Sequence, residues 1–115
     1  MKEKIKIGII GVGYVGLPLA IEFQKKYNVV CYDNNKTRIK NLNSNIDNTL
    51  EVSKNTLQKT KRLFFTNDIN KLKDVNYFIV TVPTPINKQN KPNLQMLIKA
   101  SKDVGKLLNK GDIVI

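Results

Sequence analysis

The chain has 115 residues, room for one domain with a modest core but not for two. Its 20 basic and 9 acidic residues give a formal net charge of +11, but only Arg38 and Arg62 are arginine, the lysines are scattered from Lys2 to Lys110, and no aromatic residues interleave with a basic run, so no nucleic-acid partner is expected. With no histidine and a single cysteine, Cys31, an internal disulfide and a His/Cys zinc site are excluded, no metal is expected, and the lone thiol fits a reducing compartment.

K-I-K-I-G-I-I (Lys4–Ile10) reads as a buried strand. Lys2, Lys4 and Lys6 ahead of the uncharged stretch Ile7–Ile21 imitate a secretory leader. That stretch is shorter than the ~20 residues that span a bilayer, and Pro18-Leu19-Ala20 makes a poor cleavage site. No membrane association and a cytoplasmic location are therefore expected. The glycines of G-V-G-Y-V-G (Gly11, Gly13, Gly16) give a better account of the run, because a helix over Tyr14–Lys26 follows, with Leu17, Ala20, Ile21 and Gln24 on one face.

A second strand, N-V-V-C-Y-D, runs from Asn28 to Asp33 and holds Cys31. A thiol in an apolar strand, with no histidine to activate it, reads as a small buried hydrophobe. Gly-x-Gly-x-x-Gly alone is a weak signal, but a strand before it, a helix after it and an acid about 20 positions on make it a dinucleotide fingerprint. Gly11 permits the tight turn, Gly13 lets the backbone approach a pyrophosphate, and Gly16 lets the helix pack close to the strand. The N–H groups of Tyr14 and Val15 then point at the phosphates, aided by the helix dipole. Asp33 can accept from both adenine-ribose hydroxyls and would repel a 2′-phosphate, which favours NAD over NADP. Its other possible role, capping the next helix, is one that Asn34 and Asn35 can also fill. Arg38 reads either as a group near the cofactor, able to receive a 2′-phosphate, or as a solvated helix residue.

Lys36–Asn43 is a short helix with Ile39 and Leu42 inward; Ser44–Val52 has no period and reads as loop. Ser53–Thr60 allows one or two helical turns capped by Ser53. Arg62–Thr66 is a third strand, Asp68–Lys73 a brief helical crossover and Tyr77–Val82 a fourth, fully apolar strand. Pro83–Pro92 is a loop punctuated by three prolines. Thr84 follows the fourth strand, which in this fold lies beside the first, and reads either as a residue near the cofactor or as a turn residue between Pro83 and Pro85. Asn93–Asn109 is an amphipathic helix with Leu94, Leu97, Ile98, Ser101, Val104 and Leu108 on its stripe. Asn109-Lys110-Gly111 ends it, and D-I-V-I starts a fifth strand.

Apolar strands separated by helices imply an α/β fold: a Rossmann doubly wound parallel sheet covered on both faces. The full version has six strands ordered 3-2-1-4-5-6. Residues 1–115 supply about five, so they read as an incomplete N-terminal NAD-binding domain, truncated at about the fifth strand, whose edge should be open to pairing.

G-V-G-Y-V-G-L-P-L-A, Y-D-N-N-K-T-R-I and T-V-P-T-P together resemble the UDP-glucose/GDP-mannose dehydrogenase family, over the whole chain and in order. D-N-T-L-E-V (Asp47–Val52) and the ending V-G-K-L-L-N-K-G-D-I-V-I look most like its branch acting on UDP-N-acetylhexosamines in surface-polysaccharide synthesis. The resemblance implies two NAD-dependent oxidations at C6 of a UDP-sugar and a homo-oligomeric full-length enzyme. It carries cofactor roles onto the glycine loop through Val15, and onto Asp33, Arg38 and Thr84. It carries no catalytic residue: the family's thiohemiacetal-forming cysteine, its oxyanion-stabilising lysine and asparagine and its UDP-binding residues would lie further along, beyond a Glu-Ser-Thr segment expected just after Ile115. The chain alone is accordingly expected to turn over no UDP-sugar. Two other readings are a stand-alone dinucleotide-binding or regulatory module and a fragment of a β-hydroxyacid dehydrogenase; T-V-P-T-P and D-N-T-L-E-V speak against the latter.

Overall fold

The computed structural model describes residues 4–115. Lys2, part of the leader-like lysine pattern, lies outside them. In chain order the elements are β1 (Lys6–Ile10), α1 (Gly16–Phe23), β2 (Asn28–Tyr32), α2 (Lys36–Asn43), α3 (Lys54–Gln58), β3 (Leu63–Thr66), a 3-10 turn (Ile69–Leu72), β4 (Tyr77–Val80), α4 (Gln95–Leu107) and β5 (Ile113–Val114). Side-chain caps start three of the helical segments. Asn35 accepts from the N–H of Arg38, Ser53 from that of Thr56 and Asp68 from that of Asn70.

The five strands form one parallel sheet in the order β3-β2-β1-β4-β5. The chain steps outward from β1 to β2 and β3, then returns to place β4 on the other side of β1. The order therefore reverses between β1 and β4, and a crevice opens at the carboxyl ends of those strands. In β1, Ile7 and Ile9 face a core built with Leu17, Ala20 and Ile21 of α1, Leu42 of α2 and Leu57 of α3. Ile10 faces the opposite side, with Leu72, Val75, Phe78, Ala100 and Val104. Both faces of the central strands are thus covered, which is why β1, β2 and β4 read as apolar runs rather than as alternating patterns.

The stripe expected on the last helix is wrong in all but one position. Val104 is buried, but Leu94, Leu97, Ile98 and Leu108 are exposed, and α4 meets the sheet through Ala100, Val104 and, in part, Leu107. The helix carries apolar residues around a wide arc, so a 3.6-residue period fits two overlapping stripes. The small side chain of Ala100 sits where the helix approaches the sheet. The last strand is exposed at Ile113 and Val114 and pairs with β4. Among the described residues, no helix is long and apolar enough to cross a membrane.

Candidate functional site

The turn leaving β1 gives its three glycines different tasks. Gly11 has φ +94°, and a Cβ there would lie 2.8 Å from the backbone nitrogen of Val82, so the turn excludes any side chain. A Cβ on Gly16 would overlap the carbonyl oxygen of Gly11 and stand 2.6 Å from Thr81 Oγ1. Gly16 is what allows α1 to start this close to β1. Around Gly13, by contrast, a Cβ would meet nothing within 4 Å. The protein's own packing does not require a glycine there; the space beside it is open.

Successive peptides of this turn are held from outside. The Gly11 carbonyl accepts from Thr81 Oγ1 at 2.5 Å. The Val12 N–H donates to Asp33 Oδ2 at 3.0 Å, and the Val12 carbonyl accepts from Arg38 Nε at 2.7 Å. Asp33 Oδ1 accepts from the N–H of Asn35 at 3.0 Å. Asn35 caps α2, so Asp33 is free of that task. Each of its oxygens takes one backbone N–H and keeps capacity for a second donor.

Arg38 is buried, which overturns its reading as a solvated helix residue. Besides the Val12 carbonyl it binds Asp47, Nη1 to Oδ1 at 2.7 Å, the two side chains being 9% and 0% exposed. Among the described residues, Nη2 of Arg38 is the buried side-chain nitrogen left without a hydrogen-bond partner. Asp47 also accepts from the N–H and hydroxyl of Thr49 and from the N–H groups of Glu51 and Val52. These bonds shape a turn in which Leu50 takes a left-handed φ of 59°. Burial pushes the Asp47 carboxyl up, but the hydrogen bonds from Thr49 and Arg38 outweigh it and hold the group down from 3.8 to about 2.

Because the folded-state value is depressed, the stabilisation is fully present above the unfolded value and is lost as pH falls through the folded one. Unfolding free energy should therefore drop by about 2 kcal/mol between roughly pH 4 and pH 2 on account of Asp47. Urea unfolding across that range checks this: Asp47→Asn should flatten that part of the profile, and an unaltered acid limb would assign the loss to other carboxyls.

A cleft of about 480 Å³ lies over these groups, within the ~300–1,000 Å³ usual for small-molecule sites. Gly11, Val12 and Gly13 form its floor, and Asp33, Asn34, Asn35 and Arg38 one side. Val82, Pro83 and α4 residues Met96, Lys99 and Asp103 form the other. The structure thus brings Gly11, Gly13, Asp33 and Arg38 together. Gly16 is buried beneath the turn, Tyr14 and Val15 stand exposed at the start of α1, and Thr84 is exposed one residue past the wall at Pro83. The N–H groups of Gly13, Tyr14 and Val15 have no backbone acceptor among the described residues, as expected at a helix start. Unpaired donors, open space at Gly13 and a carboxylate at the end of β2 fit the diphosphate and ribose of a dinucleotide.

Three contributors escaped the sequence reading: Asp47, Thr81 and the α4 wall. Asp47 lies in a loop without periodicity, and nothing in its spacing points to Arg38. Cys31 is fully buried, and burial pushes its thiol pKa up, so it is no nucleophile. The described residues contain no cluster of three or more His, Cys, Asp or Glu able to hold a metal ion.

The sequence profile of the UDP-glucose/GDP-mannose dehydrogenase family, NAD binding domain, matches residues 5–115. A UDP-N-acetyl-D-glucosamine 6-dehydrogenase of Salmonella typhi is 51% identical over 113 residues, covering 98% of this chain and 27% of that protein. The enzyme of the same name from Pseudomonas aeruginosa is 51% identical over 115 residues, covering 100% of this chain and 27% of its own length. Among solved structures, the UDP-D-ManNAc dehydrogenase of Pyrococcus horikoshii superposes with a TM-score of 0.89 at 33% identity, over 96% of this chain and 27% of that one. The chain spans about a quarter of the length of these curated relatives.

Proposed function

The chain belongs to the UDP-glucose/GDP-mannose dehydrogenase family through its NAD-binding domain, and we propose that it serves as the NAD-binding portion of a nucleotide-sugar 6-dehydrogenase. The substrate we propose is a UDP-N-acetylhexosamine, oxidised at C6 to the uronic acid with two NAD, for surface-polysaccharide synthesis in the cytoplasm by a homo-oligomer. Support for the substrate comes from the names of the two relatives at 51% identity.

When bound, NAD supplies the hydride acceptor. The chain's own residues bind and orient it. The unpaired N–H groups at the start of α1 receive the pyrophosphate, where the open space at Gly13 permits close approach. Asp33 accepts from the adenine-ribose hydroxyls, while its bond to Val12 fixes the carboxylate. Arg38 borders the cleft with Nε and Nη1 already engaged, so its fork does not offer a 2′-phosphate a free bidentate partner. Thr84 stands exposed one residue beyond the lining residue Pro83, and a cofactor contact from the β4 side is proposed for it from its place past β4. We assign the role of nucleophile or general base to none of the described residues.

The observation that carries this reading is the placement of Asp33: its carboxylate is tied to the glycine turn at the end of β2 with acceptor capacity left over. In Asp33→Ala, NAD affinity should fall about ten-fold or more, the worth of one or two hydrogen bonds to a charged acceptor, with a smaller change for NADP. Isothermal titration of both cofactors checks this. Equal affinity of the unmutated chain for NAD and NADP would count against it.

A further inference from the structure

The segment D-N-T-L-E-V reaches the cleft only through Thr49, yet its first residue is the best-satisfied carboxylate among the described residues. Asp47 reaches the glycine turn through one intermediary. Arg38 donates to it through Nη1 and to the Val12 carbonyl through Nε. No peptide bond among the described residues is cis. In a trans peptide the carbonyl and the following N–H point in opposite directions. Turning the Val12 carbonyl toward Arg38 therefore turns the Gly13 N–H away from it, on the open side of the turn. The preceding peptide is fixed in the same manner, with its carbonyl on Thr81 and its N–H on Asp33.

We propose that Asp47 is a positioning residue for the dinucleotide: by holding the Arg38 guanidinium against the Val12 carbonyl, it sets the Val12–Gly13 peptide so that the Gly13 N–H faces the pyrophosphate. Arg38 then acts on the cofactor mainly through the backbone of the turn, because two of its three nitrogens are engaged and the third is buried. The charge of the pair matters as well as its shape. A neutral residue at position 47 would leave a buried guanidinium without a counter-ion and free it to swing off the Val12 carbonyl. The proposal rests on the reading of the cleft as the NAD site.

The test is an amide NMR titration of the purified chain with NAD and, separately, with adenosine, which lacks the pyrophosphate. In Asp47→Asn the dissociation constant for NAD should rise about ten-fold, while that for adenosine changes by less than about two-fold. The effect should vanish in an Arg38→Met background, since Asp47 acts through Arg38. Should Asp47→Asn fail to fold, Arg38→Lys tests the same link: the ammonium keeps the charge beside Asp47 but has no fork to hold the carbonyl, and the same split is expected. Equal losses for NAD and adenosine would reduce Asp47 to a structural role and overturn the proposal, as would unchanged or tighter NAD binding. An unmutated chain whose Gly13 amide does not respond to NAD would overturn the reading of the cleft and, with it, this inference.

Discussion

Gly13→Val should abolish NAD binding, a loss of about 100-fold or more, and leave the fold intact. The two halves of that result have separate causes. Gly13 is not among the glycines with positive φ, so an L-residue is tolerated there, and a Cβ would meet no protein atom within 4 Å. Stability should change by no more than about 0.5 kcal/mol, as for a surface substitution. The two γ-methyls would instead occupy the space beside the turn, and a pyrophosphate could no longer reach the N–H groups of residues 13–15. Losing several charge-assisted hydrogen bonds of about 1.5–3 kcal/mol each accounts for a 100-fold effect. Calorimetric titration with NAD alongside a thermal melt reads both. Unchanged affinity in a folded variant would remove this turn from the cofactor site.

Gly16→Ala should do the reverse. It adds a single methyl group to the first residue of α1, where alanine is favoured over glycine by up to ~1 kcal/mol. The methyl would overlap the Gly11 carbonyl, which Thr81 Oγ1 holds in place, and press on Ile9 Cγ2 at 3.2 Å. The obstacle is largely backbone at the end of the central strand, so no side-chain rotation relieves it. A net loss of about 1–3 kcal/mol is expected, typical of overpacking. That corresponds to roughly 5–15 °C in the thermal midpoint of a domain this size. Urea unfolding measures it directly. A variant as stable as the parent would mean that α1 can slide away from β1 at little cost, and that the close approach at Gly16 is not a constraint.

These two glycines also show what the sequence disclosed and what it withheld. The motif, the strand before it and Asp33 beyond it are local and periodic, so the βαβ unit and its crevice were legible from Gly11 to Asp33. The parallel sheet followed from the alternation of apolar runs with helices, and the order of its strands from the dinucleotide-binding type of that fold. The turn at Gly11 and the close packing at Gly16 were legible too, because both tasks follow from the absence of a Cβ. Arg38 was legible only as a choice between two roles, since its burial depends on Asp47, nine positions on in a loop that has no period. Thr81 was hidden inside an apolar strand reading, where a hydroxyl has no pattern of its own. The inward stripe of α4 was misread because its wide apolar arc offers two faces, and only the position of Ala100 against Phe78 and Val104 selects one.

The central claim is that NAD lies across the carboxyl ends of β1 and β2, on the glycine turn. The most direct measurement is a map of backbone amide shifts in the unmutated chain on titration with NAD. The account predicts the largest shifts at Gly13, Tyr14 and Val15, with a second group at Asp33 to Asn35 and smaller ones at Met96 and Lys99 across the cleft. Shifts concentrated instead on the exposed side of α4, at Leu97 and Ile98, or along β5, with the glycine turn silent, would contradict it.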